Sequence, residues 1–296
     1  MGKAIIIPDI VFEGVGNKKK VACNKWPFNG YELVSCGFGS HTFMQGVAIV
    51  DNFAIHFSND SDIFYVYDLV NKRQVQQTTF QEADINRHSN CLNFGSKKYD
   101  ESDEFPLLYG SGYEANEGGG NIQKTVDVYR VQRNNGVWSI TRVQVIDYSG
   151  LSSGIGYTNA CLWGDSLCLI PFSGYDCYEF VCPDVPEGDT ISTYNLTDED
   201  LVKVHYNVTK QTFDIKQGLT CVGNYLYITN STYNGTIFRH IIDVCDLRTD
   251  DIVGHYHLDG ETLEIQQISY WQNQDRFILF FRVGSDSKYI DFVRNT

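Results

Sequence analysis

Apolar and polar residues alternate with a period of two along most of this chain, in short runs that end at Asn, Asp or Gly. This period is typical of half-buried β-strands, whereas the 3.6-residue period of an amphipathic helix is missing. The chain is also rich in aromatic residues, with 19 Tyr and 18 Phe, which favour strands over helices. We therefore expect an all-β protein.

One pattern of strands and turns occurs twice. Each copy has a Gln-Gly pair before its first strand, an Asn at the first turn and an Asp-Leu pair after its third strand. These residues are Gln45, Gly46, Asn52, Asp68 and Leu69 in the first copy, and Gln217, Gly218, Asn224, Asp246 and Leu247 in the second. Less similar copies begin near Thr158 and Gln266, and residues 88–148 are the most altered. In the copy near Thr158, we expect an insertion over 173–190 and the third strand at 194–196.

Each copy contains four predicted strands, which is the composition of a propeller blade, and stacked repeats of this kind bury a shared core. Starts near 42, 88, 157, 214 and 263 predict a five-bladed β-propeller that forms one domain over residues 1–296. The last unit is short, so we expect residues 1–40 to supply the strand that closes the ring and covers its edge. A pair of β-sandwiches is the alternative architecture.

The charge limits the possible partners. Lys and Arg total 23 against 37 Asp and Glu, a net charge of −14, which would repel a phosphate backbone and argues against nucleic acid. No apolar run approaches the length of a membrane span, and residues 4–7 are too short for the apolar core of a secretion signal. The compartment therefore stays open among the cell surface, the secreted state and a virion.

The nine cysteines follow no regular spacing. Several of them replace apolar residues in strand patterns, so we predict that they are buried free thiols. These are Cys23, Cys161, Cys168, Cys221 and Cys245. Cys177 and Cys182 flank a polar segment, and the sequence leaves open whether they are free, paired or bound to a metal.

The residues next to the first strand of each unit would meet at one mouth of a propeller channel, where ligands usually bind. Most of them are amides, histidines or aromatic residues, which suit a pocket for a sugar or a peptide. The predicted ligand-binding residues are His41, Gln45, His88, Asn90, Tyr157, Asn159, Gln217, Gln267 (or Gln266) and Trp271. In the alternative interpretation, the repeated amides instead satisfy backbone groups between adjacent units. No cofactor and no metal is predicted.

Three further motifs have a chemical interpretation and a plainer one. Residues 150–154 match the G-x-S-x-G pattern around a hydrolase serine, here Ser152, but the elbow requires a strand that leads into a helix. His255 and His257 lie on one face of a predicted strand and could bind a metal, or could simply be exposed. The acidic residues within 100–104 could bind calcium, although they lack the spacing of a calcium loop.

The segment with Gln217, Gly218 and Leu219, followed by Leu226 and Tyr227, resembles the signature of the five-bladed glutamine cyclotransferases. The resemblance extends from residue 217 to residue 246. It implies the propeller fold and, in that family, cyclisation of N-terminal glutamine. An acidic residue follows the Leu-Tyr pair in the family, and this chain has Ile228 there. We therefore expect no general acid or base at this position and no cyclase activity.

A second segment, residues 88–109, resembles propeller proteins of gut bacteria and their phages, and that resemblance implies a fold but no reaction. Three classes of function follow. We expect a binding or adhesion module for a carbohydrate or an extracellular polymer, and we lean against catalysis. The alternatives are an enzyme, either cyclotransferase-like or a sugar-active hydrolase or lyase, and a structural or virion component.

Overall fold

The structure, a computed structural model, describes residues 5–7, 24–25, 34–35, 44–58, 63–80, 89–111, 124–172, 174–188, 190–209, 215–233, 238–261, 264–283 and 286–294. These residues are mostly β-strand, which confirms the all-β prediction. Their helices are two short 3₁₀ turns, η1 (Asp198–Asp200) and η2 (Gln272–Gln274). No helix in this part of the chain is long and apolar enough to cross a membrane.

The strands form five sheets. Three short strands come first: β1 (Ile5–Ile7), β2 (Asn24–Lys25) and β3 (Val34–Ser35). The first sheet contains β4 (Met44–Val50), β5 (Phe53–Ser58), β6 (Ile63–Asp68) and β7 (Arg73–Thr79). The second begins with β8 (Cys91–Phe94), β9 (Leu108–Ser111), β10 (Thr125–Asn134) and β11 (Val137–Asp147).

The remaining strands continue the pattern. The third sheet contains β12 (Thr158–Trp163), β13 (Ser166–Pro171), β14 (Cys177–Val181) and β16 (Leu201–His205). Between β14 and β16 the chain forms β15 (Ser192–Asn195). The fourth sheet contains β17 (Ile215–Val222), β18 (Tyr225–Tyr233), β19 (Phe238–Asp246) and β20 (Asp251–Glu261). The fifth contains β21 (Glu264–Trp271), β22 (Arg276–Val283) and β23 (Asp286–Arg294).

The five sheets have a propeller-like arrangement. Their first strands, β4, β8, β12, β17 and β21, contact one another in sequence, and β21 contacts β4 again. Apolar side chains pack between each sheet and the next, including between the fifth sheet and the first. A single cycle of sheets with a core at every junction excludes the pair of β-sandwiches.

Tight turns join the first two strands of most sheets. Asp51, Gly164 and Gly223 lie in these turns with φ of 51°, 59° and 59°. Asp and Gly adopt this left-handed conformation more readily than bulky residues do, which is why the sequence has Asp-Asn, Gly-Asp and Gly-Asn at these points. We call this end of the ring the turn end.

The N-terminal strands lie on the edges of two sheets. β1 pairs in parallel with β23, and β3 pairs with the same strand in antiparallel orientation. β2 pairs in parallel with β20, the last strand of the fourth sheet, which the repeat did not predict. Both C-terminal sheets therefore have N-terminal residues hydrogen-bonded along their last strand.

The third sheet corrects one prediction. The expected third strand at 194–196 falls in and just after β15, which pairs in parallel with β11 of the second sheet instead. The third strand is β14, inside the predicted insertion, and the fourth is β16. The repeated Tyr-Asn-Leu letters misled the prediction because they resemble Tyr-Asp-Leu, whereas strand pairing depends on contacts distant in sequence.

Candidate functional site

The repeated Gln-Gly pair forms a β-bulge. The ladder between β4 and β5 shifts register between Met44 and Val47, and the ladder between β17 and β18 shifts between Lys216 and Leu219. The ladder between β21 and β22 shifts at the corresponding place, near Gln266. A bulge redirects side chains and is common beside functional sites. Three of the five first strands therefore carry a bulged glutamine.

Glycine is required in the two Gln-Gly bulges because the next sheet comes very close. A Cβ atom at Gly46 would lie 2.5 Å from the Ser89 carbonyl oxygen, and one at Gly218 would lie 2.6 Å from the Cα of Gln267. The Gly46 amide also donates to Ser89 over 2.6 Å. The Gln-Gly pair thus joins each of these sheets to its successor, which explains the repeat.

The bulges belong to a group of buried amide side chains near the starts of the first strands. We call it the amide ring, and its members are Gln45, Asn90, Asn159, Gln217, Gln266 and Gln267, each at most 6% exposed. Every sheet contributes at least one of them. Their side-chain oxygens are buried and accept no hydrogen bond from the residues that the structure describes. We call this end of the ring of sheets the amide end.

The amide nitrogens have partners across the sheet junctions. Asn159 donates to the carbonyl of Gln217 over 3.0 Å, and Gln267 donates to the carbonyl of Leu219 over 3.0 Å. The alternative interpretation of the sequence therefore describes the nitrogens of Asn159 and Gln267, which join neighbouring sheets, whereas the Gln266 nitrogen has no partner among the described residues. The oxygen remains available to accept a hydrogen bond from a donor.

Polar groups also occupy the channel beyond the amide ring. The Leu219 carbonyl accepts hydrogen bonds from Asn93, from the Cys91 thiol and from Gln267. Asn93 also donates to the Ala160 carbonyl, and the Cys91 sulfur lies 3.3 Å from the same oxygen. This network ties together the second, third, fourth and fifth sheets at the centre of the molecule.

A carboxylate lies beside the amide ring. Glu264, half-buried at the start of β21, accepts a hydrogen bond of 2.6 Å from the side chain of Gln217. Next to Gln217, the buried Lys216 ammonium donates to the backbone carbonyls of Pro171, Phe172 and Gly174. Among the described residues, the amide end therefore has several acceptors, the Glu264 carboxylate and an ammonium whose hydrogens are directed into the third sheet.

Lys216 is next to a buried acidic group in the fourth sheet. Asp243 accepts a hydrogen bond from Thr209 over 2.5 Å and pairs with His255 Nδ1 over 2.5 Å. Burial lowers the pKa of Lys216 to about 8, and the charge of Asp243 opposes part of this effect. In a nucleophilic triad the histidine lies between the carboxylate and the hydroxyl group. Here the Asp243 carboxylate lies between His255 and Thr209, so these three groups do not form such a triad.

The lowered pKa of Lys216 predicts a pH-dependent stability. The pKa is about 8 in the folded protein against an ordinary 10.5, so the unfolded chain binds more protons between these values. The free energy of unfolding should therefore rise with pH over this range, by about 2 kcal/mol between pH 7.5 and pH 10. Urea unfolding of wild type and Lys216→Met at pH 7.5 and pH 10 measures the difference.

Other titrating groups affect the stability of wild type and of Lys216→Met equally, so their contributions cancel in the difference between the two. Lys98 is exposed, and Lys98→Met is the matched control. The stability difference between wild type and Lys216→Met should change between the two pH values. The difference for Lys98→Met should stay constant within about 0.5 kcal/mol. Equal behaviour of the two variants would contradict the prediction.

The predicted aromatic residues lie at opposite ends. Tyr157 is half-buried at the amide end, edge-on to Phe172 with ring centroids 6.4 Å apart. Trp271 is at the turn end, only 6% exposed, and donates to Asn52 over 3.2 Å. It lies four residues beyond Gln267, about 13 Å along an extended strand, so it does not share a pocket with the amide ring. His41 and His88 lie outside the described residues.

The three minor motifs have different outcomes, and His255 is buried rather than exposed as its plainer interpretation expects. Residues 150–154 lead through a turn to β12 and not into a helix, so Ser152 is not on a nucleophile elbow. His255 pairs with Asp243, and the side chain of His257 lies outside the described part of the chain. In the acidic segment, Asp103 and Glu104 pair with Arg130 and Arg133. The described residues contain no cluster of three or more His, Cys, Asp or Glu fit for a metal.

Sequence reasoning missed four groups near the site: Lys216, Asp243, Thr209 and Glu264. One signal was visible, because Asp243 interrupts the apolar run of β19 and a charge at such a place needs a partner. Ile228, where the cyclotransferases carry an acid, is fully buried among Leu219 and Leu226. The packing leaves no carboxylate at that position.

Comparisons with known proteins add one finding. No family model matches the chain, and no curated protein matches it. Among solved structures it is similar to the crystal structure of Myxococcus xanthus glutaminyl cyclase, with a TM-score of 0.52 and 11% identity over 88% of this chain and 93% of that one. At this identity the likeness concerns the fold alone. It agrees with the all-β, propeller-like arrangement that the sequence predicts.

Proposed function

We propose that this chain is a five-bladed β-propeller, closed by its N-terminal segment, that binds a carbohydrate or another hydroxyl-rich extracellular polymer at the amide end. The observation that carries the proposal is the amide ring. More than nine in ten buried polar groups in proteins have a hydrogen-bond partner, so several oxygens at equivalent positions that accept no hydrogen bond from the described residues call for an explanation. Binding sites are where such groups occur, because the ligand supplies the partners.

The chemistry of the lining favours hydroxyl groups as partners. An amide oxygen accepts hydrogen bonds, and the six oxygens of the amide ring therefore select a ligand with many donors. Each hydroxyl group of a sugar can donate one hydrogen bond. Tyr157 adds an aromatic surface at the same end, against which the apolar face of a sugar can pack.

A second candidate is an enzyme that acts on a peptide amino terminus. Acceptor oxygens also suit an ammonium group, Glu264 supplies a carboxylate, and the similar solved structure is a glutaminyl cyclase. The buried Ile228 argues against it, because a general acid or base is missing from the strand where the resembling family has one. A purely structural or virion role is the third candidate.

We expect Gln45→Met to weaken glycan binding about 3- to 10-fold, because the variant keeps the shape of the side chain and removes one hydrogen-bond acceptor. The substitution also removes the amide nitrogen, so thermal melting of the unliganded variant checks that it stays folded. A glycan array followed by calorimetric titration with the best glycan measures the affinity.

Gln144→Met is the matched control. The Gln144 oxygen is also buried and has no partner among the described residues, but it lies on β11, the fourth strand of its sheet, away from the channel. Its substitution should leave the affinity unchanged. An equal loss of affinity in both variants, or none in Gln45→Met, would refute the assignment of the site.

A further inference from the structure

A cavity lies at the turn end, remote from the amide ring. It has a volume of about 330 Å³ and is lined by residues from all five sheets. Its walls include Asp51, Asn93, Phe105, Thr220, Cys221 and Tyr270. Cys221 is partly exposed, unlike the other described cysteines, which are buried. The cavity therefore gives small molecules a route to one thiol.

That thiol has a close neighbour. The Sγ atoms of Cys161 on β12 and Cys221 on β17 are 3.3 Å apart, and both residues are free cysteines. They belong to different sheets, at the junction between the third and the fourth. Two thiols in contact need only a small shift to reach the roughly 2.05 Å of a disulfide. Cys161 in turn contacts Cys168, and Cys168 contacts Cys177.

We propose that Cys161 and Cys221 form an oxidisable pair, which a small peroxide entering through the turn-end cavity converts into a disulfide between the third and fourth sheets. In the first step, Cys221 as thiolate attacks one peroxide oxygen, the O–O bond breaks, and a sulfenic acid and water result after protonation. In the second, the Cys161 sulfur attacks the Cys221 sulfur, and the sulfenic oxygen leaves as water. Two thiols and one hydrogen peroxide thus give one disulfide and two waters.

The surroundings make this pair selective. Burial raises the pKa of Cys91 to about 12 and that of Cys245 to about 12, so both remain protonated thiols near neutral pH. Burial also raises the pKa of Cys161.

The pKa of Cys221 is raised too: a hydrogen bond with Cys161 lowers it, but burial and the charge of Cys168 together outweigh that bond. Hydrogen bonds with Cys161 and Cys177 lower the pKa of Cys168, which is fully buried. Because the thiolate is the nucleophile, the oxidation should accelerate as the pH rises. Cys221 reacts first because it lines the cavity, and Cys161 supplies the second sulfur.

The test treats the intact chain with hydrogen peroxide at pH 8, blocks the remaining thiols and maps the peptides by mass spectrometry. We expect a Cys161–Cys221 cross-link with the loss of two hydrogens, reversed by dithiothreitol, while Cys91 and Cys245 stay reduced. The cross-link closes a long loop and should raise Tm by several degrees. Overoxidised Cys221 without a cross-link, or a cross-link confined to Cys161 and Cys168, would overturn the proposal.

Single variants sharpen the result. Cys161→Ser should leave Cys221 as a sulfenic acid that dimedone traps, and Cys221→Ser should leave Cys161 unmodified because Cys161 is buried and does not line the cavity. Cys245→Ser, the matched control, should form the cross-link as the wild type does. If a variant fails to fold, the peptide map of the wild type still decides, since it identifies the paired sulfurs directly.

Discussion

A variant that lacks residues 1–40 is expected to melt more than about 10 °C below the full chain or to aggregate. In the full chain, β1 and β3 pair with β23, and β2 pairs with β20. Their removal leaves two strands with unpaired N–H and C=O groups along an edge, and such edges pair with other molecules. Thermal melting and light scattering measure both outcomes.

A deletion of residues 1–4 is the matched control, because it keeps all three N-terminal strands. It should melt within about 2 °C of the full chain. If the longer deletion also melts within a couple of degrees of the full chain and stays monodisperse, the N-terminal segment does not close the ring.

Gly218→Val should lower the free energy of unfolding by more than about 3 kcal/mol. The Cβ atom alone would lie 2.6 Å from the Cα of Gln267, and the backbone of β21 cannot move aside without opening the junction between two sheets. The additional methyl groups of valine increase the overlap. Denaturant unfolding measures the loss, and Gly46→Val should behave in the same way because Ser89 and Leu92 are equally close.

Gly156→Val is the control for this substitution. Gly156 is exposed, and a Cβ atom added there would meet no heavy atom within 4 Å, so we expect a change within about 0.5 kcal/mol. A similar loss at Gly156 and Gly218 would mean that the loss at Gly218 does not come from the sheet junction.

The sequence predicted the parts of the fold that depend on local pattern. Period-two runs placed the strands, and the turns at Asp51 and Gly223 follow from residues that adopt positive φ readily. The position of β15 could not be predicted, because its parallel pairing with β11 joins residues far apart in sequence and leaves no periodic signal. The repeat indicated the bulged glutamines Gln45 and Gln217 without indicating the bulge itself.

The candidate site was predictable only in part, for the same reason. The equivalent positions of Gln45, Asn159 and Gln217 follow from the repeat. Whether Tyr157 and Trp271 lie at the amide end or at the turn end depends on the length of the strands beside them. Trp271 was therefore assigned to the wrong end. The Cys161–Cys221 contact joins two sheets and has no counterpart in either copy of the repeat.

The most direct measurement combines a glycan array with an assay for cyclisation of glutaminyl peptides on one preparation of the full chain. We predict that at least one class of glycan binds, that Gln45→Met weakens this binding, and that no pyroglutamyl product forms. A blank array together with peptide turnover that Glu264→Gln abolishes would contradict the proposed function, because the amide end would then be a catalytic site and not a binding site.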